Sequence, residues 1–250
     1  MPSICLHMRI ALEASERLGM SALERHLGSF LLGSTAPDVR VTLGWRRERT
    51  HFFDLAKDGV GAGVEGLFRA YPDLVEQARV NEPTRAFLAG YITHLLLDET
   101  WIVDIYRPYF GAGSPLGGDV RANLLDRTLQ YEMDRRERED QPTLALWRRA
   151  LRDADNGVDV GFISGVTLQQ WRDFVVRAAG RNPSWEYFRG LVERMFVGPK
   201  ALSWTEMEQY LAQLPKALER LDGHVPAEKL VEFRAQATER SLSAFRMYLS

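Results

Sequence analysis

The chain has 250 residues, of which 45% are hydrophobic and 26% are charged, a composition that is typical of globular proteins and excludes a disordered or fibrous one. Its 32 basic and 34 acidic residues give a formal net charge of −2, so no overall field attracts it to nucleic acid or to an anionic membrane. Cys5 is the only cysteine, which excludes an internal disulfide and a four-cysteine zinc site.

Neither a secretory signal nor a membrane-spanning segment is evident in the sequence. The first residues lack the basic start and the apolar stretch of about 7–15 residues that mark a signal peptide. The longest apolar run without a formal charge, residues 86–97, is far shorter than the roughly 20 residues that cross a bilayer. We therefore expect a cytoplasmic protein.

Helical periodicity dominates the chain. In most segments the apolar residues recur at three- and four-residue spacing, and no segment alternates convincingly as a strand does. A polar stretch near residue 140 suggests two parts, 1–140 and 141–250, which we expect to pack together as one continuous domain. The pattern predicts an all-α fold, a bundle with helices at about 4–18, 21–32, 60–71, 83–106, 119–139, 142–153, 167–180, 184–196, 204–221 and 226–248.

Histidines near acidic residues are the most informative feature of the N-terminal part. His94 and Asp98 are four residues apart in an apolar helical segment, so their side chains lie about 40° apart on one helix face. A buried carboxylate needs a cation or strong hydrogen bonds, because its uncompensated desolvation is costly. The pair alone favours an intrahelical hydrogen bond in the core, and a shared metal ion is the alternative.

Two further segments change this interpretation. Asp38 follows Pro37 at a rigid turn, and His51 lies in an apolar setting thirteen residues later; alone, each is typical of a cap or of a core histidine. Taken together, the segments resemble the zinc-dependent phospholipase C family, which is related to zinc-dependent single-strand nucleases. The order and approximate spacing agree over residues 1–101, in His7, the segment 30–38, Thr50-His51-Phe52 and Gly90-Tyr91-x-x-His94-x-x-x-Asp98.

The resemblance implies an all-helical fold with zinc ions at the bottom of a cleft, and hydrolysis of phosphoester bonds. It implies one zinc ion held by Asp38, His51, His94 and Asp98. A second ion would be held in part by His7 and a bridging Asp98. Either Asp38 or Asp98 would accept the proton of a metal-activated water. We therefore predict one or two Zn²⁺ ions, or another divalent metal, between the N-terminal helices of the bundle.

The sequence departs from this family after residue 101. Family members with three zinc ions use further histidines and a glutamate after the His-x-x-x-Asp helix, whereas the only later histidine here is His224. Asp126, Gln130 and Asp134 recur every four residues on one helix face and are candidate additional ligands. Hydrogen bonding to arginine or to solvent is the alternative for these three side chains.

Arginines crowd the segment between Asp38 and His51. Arg40, Arg46 and Arg47 are candidate phosphate-binding residues, because a guanidinium donates paired hydrogen bonds to phosphoryl oxygens. An exposed basic loop without a ligand is the alternative.

These features predict a metal-dependent phosphoester hydrolase that resembles phospholipase C and acts on a small-molecule or lipid phosphodiester. One alternative is a phosphomonoester or nucleotide hydrolase. Another is a non-catalytic helical protein with a structural metal or a buried His/Asp network. Nucleic acid is a less favoured partner, although composition does not exclude it, and the oligomeric state is open.

Overall fold

The computed structural model describes residues 3–19, 21–76, 79–181, 184–196, 202–214 and 224–249. Helices are the regular elements of these residues, which contain no β-strand. The all-α fold class predicted from the sequence is therefore confirmed. None of the described helices combines the length and apolar character needed to cross a bilayer.

The helices of the N-terminal part are mostly short and surround one long helix. They are α1 (Ile4–Leu18), α2 (Ser21–Arg25), α3 (Leu27–Gly33), α4 (Arg40–Leu43), α5 (Glu48–His51), α6 (Ala62–Ala70), α7 (Glu82–Thr100) and α8 (Arg107–Tyr109). The 3₁₀ turns Ala36–Val39 and Pro72–Leu74 lie between these helices. The remaining helices are α9 (Val120–Glu137), α10 (Gln141–Ala150), α11 (Gly165–Ala179), α12 (Trp185–Phe196), α13 (Trp204–Ala212) and α14 (Ala227–Tyr248).

Helix α7 is the central element, and its sequence explains why. The Asn81 side chain caps its first turn by accepting a hydrogen bond from Thr84 N at 2.9 Å, and Pro83 occupies a position that needs no N–H donor. From residue 86 to residue 100 every side chain is buried, as expected for a helix that is apolar on all sides. The helix then continues as a π-helix, Trp101–Tyr106. The predicted helix 83–106 is therefore continuous, but its hydrogen bonds change from the α to the π pattern at Trp101.

Helices α3 and α7 touch backbone to backbone. A Cβ atom added to Gly90 would lie 1.9 Å from the carbonyl oxygen of Phe30, and one added to Gly33 would lie 1.9 Å from that of Phe87. Only glycine permits this approach at both positions. The contact fixes the segment that follows α3, and with it Asp38, against the middle of α7.

The C-terminal helices share the core of the N-terminal part. Trp147 and Trp171 belong to the same buried apolar cluster as Leu31 and Tyr91, and α14 packs against both α1 and α7. Arg9 joins α1 to the region near residue 140 by donating to Glu137 at 2.9 Å and Asp140 at 2.8 Å. The tryptophan contacts and those of α14 cross the proposed division between 1–140 and 141–250, whereas those of Arg9 lie within 1–140.

Several boundaries differ from those predicted. The predicted helix 21–32 is divided at His26, which lies in a non-helical conformation (φ −115°, ψ 35°) before α3. Part of the predicted helix 204–221 lies outside the described residues, and α13 ends at Ala212. Two short helices, α4 and α5, occur in the arginine-rich segment, where no helix was predicted.

We expect Gly90→Ala to lower the free energy of unfolding by about 3 kcal/mol or more, because the new Cβ overlaps backbone atoms that cannot move independently. Chemical denaturation monitored by circular dichroism measures the change. Gly165→Ala is the matched control, since a Cβ there meets no atom within 4 Å. Equal stability of the two variants would show that α3 and α7 are not in backbone contact.

Candidate metal centre

The fold brings the five predicted ligands to one place. His7 lies on α1, Asp38 in the 3₁₀ turn after α3, His51 at the end of α5, and His94 and Asp98 on α7. The three histidines and Asp98 have side chains that are at most 1% exposed, whereas the Asp38 side chain is 18% exposed. The groups therefore lie in the interior, and Asp38 is the ligand nearest to solvent.

His94 is oriented by the turn that follows α3. Its Nδ1 lies 2.9 Å from the carbonyl oxygen of Ser34, an acceptor, so Nδ1 carries the proton and Nε2 carries a lone pair. Burial, followed by the nearby His7 ring, lowers the pKa of His94 well below its ordinary value. A neutral imidazole with a directed Nε2 lone pair is the form in which histidine binds a metal.

His51 approaches the same point from α5. Its Nε2 lies 3.2 Å from Asp98 Oδ2, and its Nδ1 lies 3.0 Å from the hydroxyl of Thr50. Burial lowers the pKa of His51, although the hydrogen bond with Asp98 opposes this shift. The helix ends immediately afterwards because Phe52 adopts a left-handed conformation (φ 54°), which turns the chain away from the centre.

The spacing of His51, His94 and Asp98 matches the ligand spacing of a tetrahedral ion. Ligands at the usual Zn–N and Zn–O distances of about 2.0–2.1 Å lie roughly 3.3 Å from one another. The Nε2 atoms of His51 and His94 are 3.3 Å apart, and Asp98 Oδ2 is 3.2 Å and 3.7 Å from them. Asp38 Oδ1 lies 3.7 Å from His51 Nε2. Asp38 belongs to a candidate ion-binding group with His51 and His94, whereas Asp98 belongs to one with His7 and His94, so His94 is common to both groups.

His7 lies beside a second possible ion position, next to the first. Its ring stacks on that of His94, with centroids 3.8 Å apart and planes inclined by 6°. Its Nε2 lies 3.5 Å from Asp98 Oδ1, yet His7 Nδ1, His7 Nε2 and Asp98 Oδ1 have no hydrogen-bond partner. Buried polar atoms without partners are costly. A cation between His7 and Asp98 would satisfy both side chains, so Asp98 has the geometry of a bridging ligand.

Asp98 is the electrostatic centre of this group. Burial opposes its ionisation, but the neighbouring imidazoles and the Arg47 guanidinium outweigh burial and hold the pKa of Asp98 well below its ordinary value. The Arg47 Nη atoms donate to Asp98 Oδ2 at 3.2 Å and 3.3 Å. The carboxylate is therefore charged, as a metal ligand must be.

The next residue, Glu99, binds backbone N–H groups at the start of α6, a role that the sequence did not predict. Its carboxylate accepts hydrogen bonds from Gly61 N at 2.5 Å and Gly63 N at 2.8 Å. Burial raises the pKa of Glu99 to about 7, although these backbone donors oppose the shift. A Cβ on Gly63 would lie 2.2 Å from Glu99 Oε1 and 2.6 Å from the carbonyl oxygen of His51. Glu99 thus anchors the start of α6 beneath His51.

The three candidate phosphate-binding arginines occupy different environments. Arg47 is 10% exposed and lies in the centre beside Asp98. Arg40 is 22% exposed, and its Nε lies 3.9 Å from Asp38 Oδ1. Arg46 is 90% exposed and lies 3.6 Å from Glu48, so it points away from the centre. Two of the three predicted residues therefore border the candidate site.

The three candidate additional ligands are bound to other protein groups instead. Asp126 accepts from Trp101 Nε1 at 2.9 Å and from Gln130 Nε2 at 2.8 Å. Asp134 accepts from the Cys5 N–H at 3.1 Å and from the Ser3 hydroxyl. Neither of the candidate ion-binding groups found among the described residues contains any of these side chains.

The alternative named from the sequence, hydrogen bonding to arginine or to solvent, is seen at two of the three side chains: Gln130 Oε1 accepts from Arg127 Nη1 at 2.9 Å, and Asp134 is bonded to Arg138. Asp134 accepts from Arg138 Nε at 2.6 Å, and its contacts with residues 3 and 5 hold the start of α1. His224 is exposed and is absent from both candidate ion-binding groups of the described residues.

No family model, curated protein or solved structure matches the chain. The resemblance to zinc-dependent phospholipase C thus stays a hypothesis that is based on the order of short motifs. The chemistry of the centre has to be inferred from its own geometry.

We expect His94 in metal-free protein to be the Nδ1–H tautomer at neutral pH, because the Ser34 carbonyl oxygen that faces Nδ1 can only accept a hydrogen bond. Two-bond ¹H–¹⁵N correlation spectra distinguish the tautomers, and the exposed His224 provides the reference for a ring in solvent. A spectrum with the proton on Nε2 of His94 would contradict the orientation described above.

Proposed function

We propose that the protein is a metal-dependent phosphoester hydrolase, with Zn²⁺ as the expected ion. One observation carries the proposal. Five side chains from distant segments form two groups of possible ligands that share His94: His7 with Asp98, and Asp38 with His51; several of their nitrogen and oxygen atoms have no hydrogen-bond partner. Imidazole and carboxylate groups suit zinc, and two carboxylates balance the charge of one divalent ion.

The proposed centre would hold one or two ions. Asp38, His51, His94 and Asp98 would hold the first, and His7 with the second oxygen of Asp98 would contribute to another. A divalent ion held there would activate water and stabilise negative charge on the phosphoryl oxygens.

The open side of the centre indicates how the residues would act. Asp38, Arg40 and Arg47 are partly exposed. The other four proposed ligands, the three histidines and Asp98, are almost fully buried. A substrate would therefore approach over Asp38. Because Asp98 is enclosed and paired with Arg47, Asp38 is the better placed of the two carboxylates to accept a proton from the attacking water.

Basic residues at the opening favour an anionic ester, and the proposal covers small-molecule or lipid phosphodiesters as well as phosphomonoesters. A second candidate function is a non-catalytic protein with a buried His/Asp network. The ion pair between Arg47 and Asp98 favours this candidate, because it neutralises the carboxylate without a metal.

We expect the wild-type protein, stripped with a chelator and then titrated with Zn²⁺, to bind one or two ions. His94→Ala should weaken the tighter site by at least about 100-fold, because even groups that only orient the ligands are worth about 10–100-fold. Isothermal titration and elemental analysis measure both quantities. The control is His224→Ala, which removes an exposed imidazole. Equal zinc binding by wild type and His94→Ala would refute the assigned centre.

We expect the zinc-loaded protein to hydrolyse at least one substrate in a panel of phosphomonoesters and phosphodiesters. Asp38→Asn should lower kcat/KM by about 100-fold or more, because an amide cannot accept the proton of water. Asp73→Asn is the control, since that side chain is 88% exposed. If the loaded protein binds zinc tightly but hydrolyses none of the substrates, the site is structural.

A further inference from the structure

Arg47 lies where the proposed metal centre and its substrate would meet. Both of its Nη atoms donate to Asp98 Oδ2, the same oxygen that faces the Nε2 atoms of His51 and His94. A carboxylate oxygen has two lone pairs in its plane and cannot satisfy all of these groups at short range together with an ion. The guanidinium and the first metal ion therefore compete for one oxygen atom.

The guanidinium keeps its charge in this setting. Burial lowers the pKa of Arg47, while Asp98 and Asp38 oppose the shift, and an arginine side chain stays protonated in proteins. A buried positive charge beside a cation is unfavourable. Arg47 should therefore weaken metal binding, and its presence beside the centre suggests that it has another function.

The position of Arg47 in the chain restricts where its side chain can go. Its carbonyl oxygen accepts hydrogen bonds from Thr50 N at 3.0 Å and His51 N at 2.9 Å, so the backbone of Arg47 is part of the turn that positions His51. The side chain is nevertheless 10% exposed, whereas His51 and Asp98 are fully buried. The guanidinium thus borders the open side of the centre beside Asp38.

The neighbouring Arg40 marks the same side. Its Nε is a buried atom without a hydrogen-bond partner, as is Asp38 Oδ1. Two guanidinium groups therefore lie near the partly exposed carboxylate of Asp38, the side from which an ester would enter. A planar guanidinium donates two parallel hydrogen bonds to a pair of phosphoryl oxygens.

We propose that Arg47 has two alternative partners: it neutralises Asp98 when the centre holds no metal, and it binds two unsubstituted oxygens of a phosphate group when metal is present. This inference depends on the proposed function. Arg47 would then set a requirement for a substrate whose phosphorus carries two free oxygens.

The inference predicts opposite changes in two affinities. Replacing Arg47 with methionine removes a like charge and a competitor for Asp98 Oδ2, so zinc should bind more tightly by about tenfold. The same replacement removes the paired donors, so inorganic phosphate should bind the zinc-loaded protein more weakly by about tenfold. A purely structural role would weaken both.

The experiment compares the wild type with Arg47→Met, Arg47→Lys and Arg46→Met. Zinc affinity is measured by competition with a chelating dye, and phosphate affinity of the zinc-loaded protein by titration calorimetry, after circular dichroism has shown that each variant is folded. Arg46→Met is the matched control because its side chain is 90% exposed. It should match the wild type in both affinities.

Arg47→Lys keeps the test decisive if the methionine variant does not fold. It retains the charge but lacks the planar pair of donors, so zinc affinity should stay within about threefold of wild type while phosphate affinity falls by about tenfold. Unchanged phosphate affinity in the lysine variant overturns the inference, as does unchanged or weaker zinc binding in a folded methionine variant. Failure of the wild type to bind zinc instead overturns the proposed function.

Discussion

The buried carboxylate of Asp98 is the constraint on which the candidate site depends. An ionised group without solvent must be surrounded by compensating charge or hydrogen bonds, and the structure supplies both from three directions. His7 lies on α1, and His94 lies on α7, the helix that carries Asp98 itself. His51 and Arg47 lie in α5 and at the residue that precedes it. The packing of the N-terminal helices therefore supplies the groups that compensate the charge of Asp98, and the same groups form the candidate metal centre.

The close approach of α3 to α7 makes this arrangement possible. Gly33 and Gly90 remove the side chains that would separate the helices, which brings the Ser34 carbonyl within hydrogen-bonding distance of His94. The same contact places the partly exposed Asp38 beside His51. A packing interaction therefore determines both the tautomer of one candidate ligand and the position of another.

The sequence predicts local geometry well and long-range partners poorly. Four-residue spacing is enough to place His94 and Asp98 on one face, because helix geometry is regular. The arrival of Asp38 and His51 at that face depends on tertiary contacts, and only the order of motifs suggested it. No local pattern indicated that Arg47 would pair with Asp98, or that Glu99 would hold the Gly61–Gly63 segment, since both depend on short irregular connections between helices.

The candidate ligands offer nitrogen and oxygen but no sulfur. The one cysteine lies elsewhere, with its backbone N–H bound to Asp134. Imidazole and carboxylate groups accept several first-row transition metals, whose affinities rise towards copper in the Irving–Williams order. Oxidants that destroy thiolate sites would leave such a centre intact, and the choice of metal in the cell would follow supply rather than ligand softness.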